Sequence, residues 1–570
     1  MITKINRRHL ISLSFIICQL SFSAALTSCN DYLTDTPKSQ ITPEEGYNTL
    51  DALKNNALLS IYNYIGGADH SQGLQGTDRG VYDLNSFTTD EQLAPVRGSD
   101  WYDGGLWFRL FFHKWTAGEA PLKDTWDYLY KVVMLCNEGI ERMEAFETND
   151  AKEQKSLVEY KAELRALRAM YYFYLMDLYG RVPLVTSTTT KSSQMTLSDR
   201  KTLFYWIYGE LSDVLPDLPT QWSQLPDTEY YGRMTAFVAY FVLMKLAINA
   251  EVYTDNDWTD NVRPNGREIM LKTNSAFSDE VIEANAWETV QKLFYAINPY
   301  YKLSDNYIDN FVVHNETSRE NIFVIPMNPL LYNNKYWYFF RSRHYLHGAA
   351  LNCASENGPC ATVSTVKAFG YDEEDGNMPD LRFFDNFYYD YALVKSELVY
   401  DEDGVTPLHY RPLAVTEFDL SGEKYEKTAG ARIAKYEFDY NSLDDGRLIN
   451  NDIVLFRFAD MILMFAEACY RLGETESALA ALNTVFMRSN PSSYSKPYTE
   501  VNDDVLLRER LMEFMWEGWR RNDLVRFGRF HKPYDLKINT TDEADGHTTV
   551  FPIPADMLVM HPDWKQNPGY

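Results

Sequence analysis

Positive charge is scarce in this chain. Its 570 residues carry 54 Lys and Arg against 81 Asp and Glu, which gives a formal net charge of −27 at pH 7. Such a field repels phosphate backbones, so nucleic acid is not expected as a partner. It favours solubility and tolerates a neutral ligand.

Motifs of catalysis and metal binding are also lacking. The sequence has no Gly-x-Ser-x-Gly, no His-Glu-x-x-His, no P-loop, and no Cys or His spacing typical of zinc. Because acids are so abundant, a close carboxylate pair arises by chance and cannot indicate a glycosidase. Two acidic turns, 372–377 and 401–404, lack the full spacing of a calcium loop and are interpreted as solvated turns. Calcium binding stays open, because oxygen ligands are abundant there. We expect no enzyme activity and no cofactor.

Long apolar runs are missing beyond the N-terminus. No later stretch reaches eighteen consecutive apolar residues, so no other membrane span is expected. At the N-terminus a basic segment precedes a short apolar stretch, 10–25, and then Ser28 and Cys29. This pattern is typical of a bacterial lipoprotein. It predicts a signal peptide over 1–28, acylation of Cys29 and a tether over 29–41. The alternative is an ordinary signal peptide with a chance cysteine.

Cysteines are few. Of the six, Cys136 and Cys469 lie in apolar helical patterns and are predicted to be small core residues. Cys353 and Cys360 lie seven apart in a loop that contains Gly and Asn. In an exported protein this spacing allows a short disulfide.

Helical periodicity dominates what is present. Helices are predicted over 42–64, 120–146, 151–180, 198–215, 233–253, 279–297, 452–472, 476–488 and 503–518. In the third, apolar residues recur at three- and four-residue steps before Gly180, a C-cap candidate, and Pro183. Residues 66–118 and 301–450 instead mix Gly, Asn, Asp and aromatics without steady periodicity. The predicted fold is mostly α, with degenerate tetratricopeptide-like helical pairs as a scaffold and an irregular loop-rich lobe containing short strands.

Six segments in order resemble the SusD/RagB family. They are 29–37, Ala162–Ala169 with Tyr171–Leu184, Arg457–Ala468, Glu509–Gly528, Phe551–Pro554 and Gln566–Tyr570. The resemblance implies a non-catalytic, lipid-anchored protein on the outer membrane, facing the outside, that binds an oligosaccharide and caps a SusC-like TonB-dependent transporter. It divides the chain into an N-terminal helical region over 42–300 with a ligand loop over 66–118, a variable lobe over 301–450 and a C-terminal helical region over 451–570. Alternatives are RagB-like peptide capture, a protein-interaction scaffold and a secreted hydrolase.

Two loops are candidates for ligand contact. A sugar ring has an apolar C–H face that suits an aromatic ring and a hydroxyl rim that suits amides, carboxylates and Arg. The first loop presents Arg97, Asp100, Trp101 and Tyr102 among glycines, and it is similar to a loop in SusD-like starch binders where a nearby Trp stacks on sugar. The alternative is that Trp101 packs under the loop. Trp107 and Trp115 are predicted to be core.

The second candidate loop combines amides with a run of aromatics. It contains Tyr332, Asn333, Tyr336 and Trp337, and it is predicted to be an exposed tip. In the family, the matching region supplies further stacking aromatics. The alternative is an aromatic strand that enters the core at Phe339.

Overall fold

The computed structural model describes residues 45–67, 72–75, 79–226, 228–332, 335–336, 338–373 and 379–570. The predicted signal peptide, the tether and Cys29 lie outside the described residues. The chain divides into two compact units, Met1–Asn56 and Ala57–Tyr570. In the described part of the first unit, a short helix over Leu50–Leu53 is capped by the Thr49 hydroxyl, which accepts from the Ala52 amide at 3.1 Å.

Helices form the frame of the second unit. Its α-helices, in chain order, are Ser60–Gly66, Val81–Ser86, Leu106–Phe111, Ala120–Ala145, Ala151–Tyr179, Arg200–Val214, Ala236–Ile248, Ala250–Tyr253, Ala286–Ile297, Tyr338–Ser342, Tyr345–Ala350, Val363–Ala368, Arg382–Asn386, Phe458–Leu472, Thr475–Ser489, Asp503–Phe514, Arg520–Arg526 and Ala555–Met560. Among the described residues, none of these helices is both long and apolar enough to cross a bilayer.

Neighbouring helices pack in pairs along the chain. Ala151–Tyr179 packs against Ala120–Ala145 on one side and Arg200–Val214 on the other, and Phe458–Leu472 packs against Thr475–Ser489. The predicted scaffold of helical pairs is confirmed. The helix over Ala151–Tyr179 also has its predicted end, since Asp150 caps its first turn and Gly180 leaves it at a φ of 70°.

Strands are short and pair two by two. They are Gln92–Leu93, Val182–Pro183, Leu197–Ser198, Met270–Thr273, Ile282–Asn285, Asn321–Ile325, Cys360–Ala361, Phe387–Tyr388, Leu393–Val394, Glu397–Leu398, Arg432–Ile433 and Ile453–Arg457. Every pair is antiparallel. The region 301–450 is loop-rich with short strands, as predicted.

Two predicted helix starts are wrong. The helix expected from 452 begins only at Phe458, because Ile453–Arg457 is a fully buried strand that pairs with Asn321–Ile325. β-branched residues with no exposed face suit a buried strand, which periodicity alone does not distinguish from a helix. Likewise the helix expected from 279 begins at Ala286, after the strand Ile282–Asn285.

A buried ion cluster joins the variable lobe to the C-terminal helices. The Arg457 guanidinium binds Glu320 at 2.7 Å, Glu513 at 2.6 Å and Glu517 at 2.8 Å. Arg382, from the lobe, also binds Glu513, at 2.8 Å. All five side chains are almost fully buried. Removing one partner from such a set leaves an uncompensated charge, which is strongly destabilising.

Candidate functional site

The first candidate loop is a tight hairpin followed by strained backbone. Arg97 and Asp100 exchange backbone hydrogen bonds of 3.1 and 3.3 Å around Gly98, whose φ is 70°. Trp101 follows with a φ of 64°, a conformation that non-glycine residues rarely adopt. Such a residue persists only where its surroundings hold it in place, and it is found often at functional sites.

The Trp101 side chain is held on three sides. Its indole Nε1 donates to the Glu356 carbonyl at 2.8 Å. Its ring lies 5.7 Å from the buried Trp107 ring, centroid to centroid, at 48°. Beneath it lies Gly358, where an added Cβ would fall within 2.6 Å of three indole atoms. The ring is half-buried and fixed in orientation.

An open pocket of about 480 Å³ lies beside this indole. It is lined by Arg79, Ser99, Asp100, Trp101, Asp103, Trp107, Arg341, Tyr345, Ser355 and Glu356. The wall therefore combines aromatic rings with carboxylates, hydroxyls and guanidiniums. This combination suits a ligand that has an apolar face and a rim of hydroxyl groups.

Asp100 is positioned by two neighbours from the variable lobe. The Tyr345 hydroxyl donates to its Oδ2, and the Lys427 ammonium lies 3.5 Å from the same oxygen. Burial raises the pKa of the Tyr345 hydroxyl above its ordinary value, and its hydrogen bond to Asp100 adds to this, so it stays a proton donor. Both contacts fall on Oδ2, and Oδ1 remains an acceptor for a ligand.

Ion pairs fix other side chains of the pocket wall. The Arg341 guanidinium binds buried Asp83 through two hydrogen bonds of 3.0 and 2.8 Å. The Arg79 guanidinium lies 3.1 Å from Asp103, which also accepts from the Trp107 Nε1 at 2.6 Å. These contacts hold the pocket in one shape before any ligand arrives.

The remaining candidates of the first loop do not line this pocket. Tyr102 is 63% exposed. Arg97 is fully buried and donates to the carbonyls of Glu426 and Ala429 at 2.8 and 2.9 Å. Desolvation lowers the pKa of its guanidinium to about 9. Arg97 was expected to touch ligand, but its donors are spent on backbone, and its role is to hold the hairpin.

The second candidate loop lies at a different place. Tyr332 is 38% exposed and borders a separate pocket of about 330 Å³, beside Tyr62 and Tyr231. Tyr336 is buried and packs on Tyr436 at 5.8 Å, so its prediction as an exposed contact is wrong. Asn333 and Trp337 lie outside the described residues. The two pockets share no lining residue.

The predictions for the cysteines have two different outcomes. Cys136 and Cys469 are buried, as expected. Cys353 and Cys360 are free thiols, so the disulfide that their spacing allows is not formed in this structure. The Cys360 sulfur instead accepts from the Arg97 guanidinium at 3.5 Å, which keeps it engaged elsewhere.

Sequence reasoning missed half of the pocket wall. Tyr345 and Glu356 come from the variable lobe, about 250 positions away from Trp101 in the chain. Neither stands in a pattern that indicates a site. Trp107 and Trp115, predicted as core, are indeed buried. Among the described residues, no group of three or more His, Cys, Asp or Glu is arranged to hold a metal ion.

Two family models match the chain. One, described as the SusD family, matches residues 370–570. The other, described as "Starch-binding associating with outer membrane", matches residues 71–247. Five of the six segments on which the family resemblance rests lie within these two ranges, and the first, 29–37, precedes both.

Named relatives and solved structures align over nearly the whole chain. Starch-binding protein SusD of Bacteroides thetaiotaomicron is 24% identical over 96% of this chain and 97% of its own. SusD-like protein P38 of Formosa agariphila is 22% identical, with 98% and 99% covered. A SusD superfamily protein from Bacteroides vulgatus superposes with a TM-score of 0.63, at 21% identity and with 92% and 100% covered.

A structure with a bound saccharide is also similar. Surface glycan-binding protein A from Bacteroides thetaiotaomicron, in complex with laminarihexaose, superposes with a TM-score of 0.65 at 17% identity, over 91% of this chain and 99% of its own. These likenesses confirm the fold. The names describe binding proteins, in agreement with the expectation that the chain is not an enzyme.

Proposed function

Because the chain belongs to the SusD family, we propose that it binds an oligosaccharide or polysaccharide at the outer membrane without altering it chemically. The observation that carries the proposal is the Trp101 indole, half-buried and fixed at the wall of an open pocket of about 480 Å³. A sugar ring lies flat against this indole, and its hydroxyls reach the polar groups around it. SusD of Bacteroides thetaiotaomicron, named as a starch-binding protein, supports this ligand class.

The geometry of the pocket supports the following contacts with a bound sugar. The indole offers dispersion and weak C–H contacts to the apolar face of a pyranose ring. The Asp100 and Asp103 carboxylates accept from sugar hydroxyls, and the Arg79 guanidinium donates to sugar oxygens. Because these groups are already held by neighbours, binding orders few side chains, which reduces its entropic cost.

The wider role follows the family resemblance. Cys29 carries the lipid anchor, the folded body stands on the outer face of the outer membrane, and a SusC-like TonB-dependent transporter receives the bound glycan. The description "Starch-binding associating with outer membrane" supports this location. Co-purification of a large β-barrel partner with the full chain tests the transporter role, and failure to recover one under crosslinking would count against it.

Substitution of two tryptophans tests the binding site. Trp101→Ala should weaken binding to a retained polysaccharide in affinity electrophoresis by about tenfold, since one stacking contact of roughly 1.4 kcal/mol corresponds to that factor. Trp564→Ala is the matched control. Trp564 is also half-buried, also donates its Nε1 to a backbone carbonyl, at 3.0 Å, and lies outside the pocket.

The two variants separate ligand contact from stability. Equal loss of binding in both variants, or loss only in step with a lower thermal midpoint, would assign Trp101 to the core instead. Retention of peptides but of no polysaccharide by the native chain would favour the RagB-like alternative.

A further inference from the structure

We infer that the pocket beside Trp101 selects neutral saccharides over anionic ones such as uronate-rich polymers. This inference rests on the proposed function and names the ligand class of the same pocket. Three acidic residues line the pocket, Asp100, Asp103 and Glu356, against two basic ones, Arg79 and Arg341.

Both guanidiniums already have acidic partners. Arg341, 3% exposed, makes two hydrogen bonds to buried Asp83. A ligand carboxylate that drew Arg341 away would break its two charged hydrogen bonds to buried Asp83, which is costly. Arg79 lies 3.1 Å from Asp103, so an anionic ligand has to compete with a carboxylate that is already in place.

A further cation beside Asp100, Lys427, is engaged as well. Lys427 donates to the Arg97 carbonyl at 2.9 Å and lies 3.5 Å from Asp100 and 3.3 Å from Glu426. It therefore compensates charge that the chain itself supplies. Within the described part of the chain, each lining cation of this pocket is already paired with an acid of the chain itself, so a ligand's negative charge finds no cation that lacks an acidic partner.

The hydrogen-bonding character of the wall points the same way. Ionised carboxylates only accept, so they pair with a ligand that donates. Every hydroxyl of a neutral sugar is a donor as well as an acceptor, whereas a uronate or sulfate group brings acceptors and negative charge. Like charges at such short range repel, and they do so more strongly in a partly desolvated pocket than in water.

Matched derivatives of one polymer give the test. The full chain would be run in affinity electrophoresis through gels that contain a panel of neutral polysaccharides, each compared as its hydroxyethyl and its carboxymethyl derivative. The two derivatives differ in charge while adding similar bulk. For every polymer retained, the hydroxyethyl form should bind at least about fivefold more tightly at low salt, the order expected from one charge contact in partly desolvated surroundings. Salt should reduce the difference, because it screens the repulsion.

Two acid-to-amide variants locate the source of the selection. Glu356→Gln, on the pocket wall, should reduce the ratio of the affinity for the hydroxyethyl form to that for the carboxymethyl form. Glu402→Gln removes the same charge from an exposed turn outside the pocket and should leave the ratio unchanged. Equal narrowing by both variants would assign the effect to the charge of the whole chain and overturn the inference.

The remaining outcomes are distinct. Binding of the carboxymethyl form as tightly as the hydroxyethyl form overturns the selection for neutral ligands and leaves the proposed glycan binding standing. Retention of no polysaccharide in any form overturns the proposed function, and the inference falls with it.

Discussion

Gly358 packs against the Trp101 indole, and changing it to Ala should weaken glycan binding while the chain still folds. A Cβ at this position would lie within 2.6 Å of three atoms of the Trp101 indole, whereas carbon atoms in contact are about 3.5–4.0 Å apart. The ring would have to withdraw by roughly 1 Å or more to relieve this overlap.

Withdrawal breaks the contacts that fix the ring. The hydrogen bond from Nε1 to the Glu356 carbonyl, 2.8 Å long, would pass its useful limit of about 3.5 Å, a loss of about 1 kcal/mol. Together with overpacking, the cost to the free energy of unfolding should be about 1–3 kcal/mol. Glycan binding should fall by about tenfold, because the displaced ring no longer presents its face to the pocket.

Isothermal titration with a retained polysaccharide, alongside thermal unfolding, measures both effects. Gly209→Ala is the control. Gly209 lies in the helix Arg200–Val214 and has no atom within 4 Å of an added Cβ. Alanine there should stabilise the fold by about 0.5–1 kcal/mol and leave binding intact. Native affinity in the Gly358→Ala variant would refute the idea that a fixed indole carries recognition.

Three further predictions concern stability and covalent state. Burial raises the pKa of the Glu91 carboxyl from 4.5 to about 7, so its stabilising contribution is complete below pH 4.5 and is lost as the pH rises towards 7. The free energy of unfolding of Glu91→Gln should therefore exceed that of the native chain by about 3 kcal/mol at pH 8, with no such gain at pH 4. If the urea unfolding midpoints of the two chains differ by the same amount at both pH values, this reasoning is excluded. Glu513→Gln leaves three arginines short of a partner and should cost about 3 kcal/mol or more, seen as a lower thermal midpoint than in Glu402→Gln. Alkylation of the unfolded chain without reductant should label both Cys353 and Cys360, because both are free thiols. Failure to label the two cysteines would instead support a disulfide between them.

Regular patterns allowed the sequence to predict the long helices. The apolar spacing and terminal residues of Ala151–Tyr179 give both its buried face and its ends, since both are local properties. The strand Ile453–Arg457 was not predicted because its pairing with Asn321–Ile325 is non-local. Because its five apolar and basic residues directly precede a helix, their local pattern predicts the first turns of that helix instead.

The candidate site could be predicted only where glycines and an aromatic stand together. The spacing around Trp101 pointed to a loop and to the indole that borders the pocket. Tyr345 completes the wall from a distant segment and carries no local signal. Tyr336 shows the opposite error, because a polar flank suggests exposure while the ring packs on Tyr436. Local composition does not record which aromatic finds a partner in the core.

The buried ion cluster has a consequence for exchanging parts between related proteins. Arg382 and Glu320 belong to the segment 301–450, while Arg457 and Glu513 belong to the region after it. A chimera that imports this segment from a homologue must bring matching acids and bases into register, or an odd ion stays trapped in the interior. Ligand preference can therefore be transferred only together with the residues of the buried ion cluster. Those residues should co-vary among homologues.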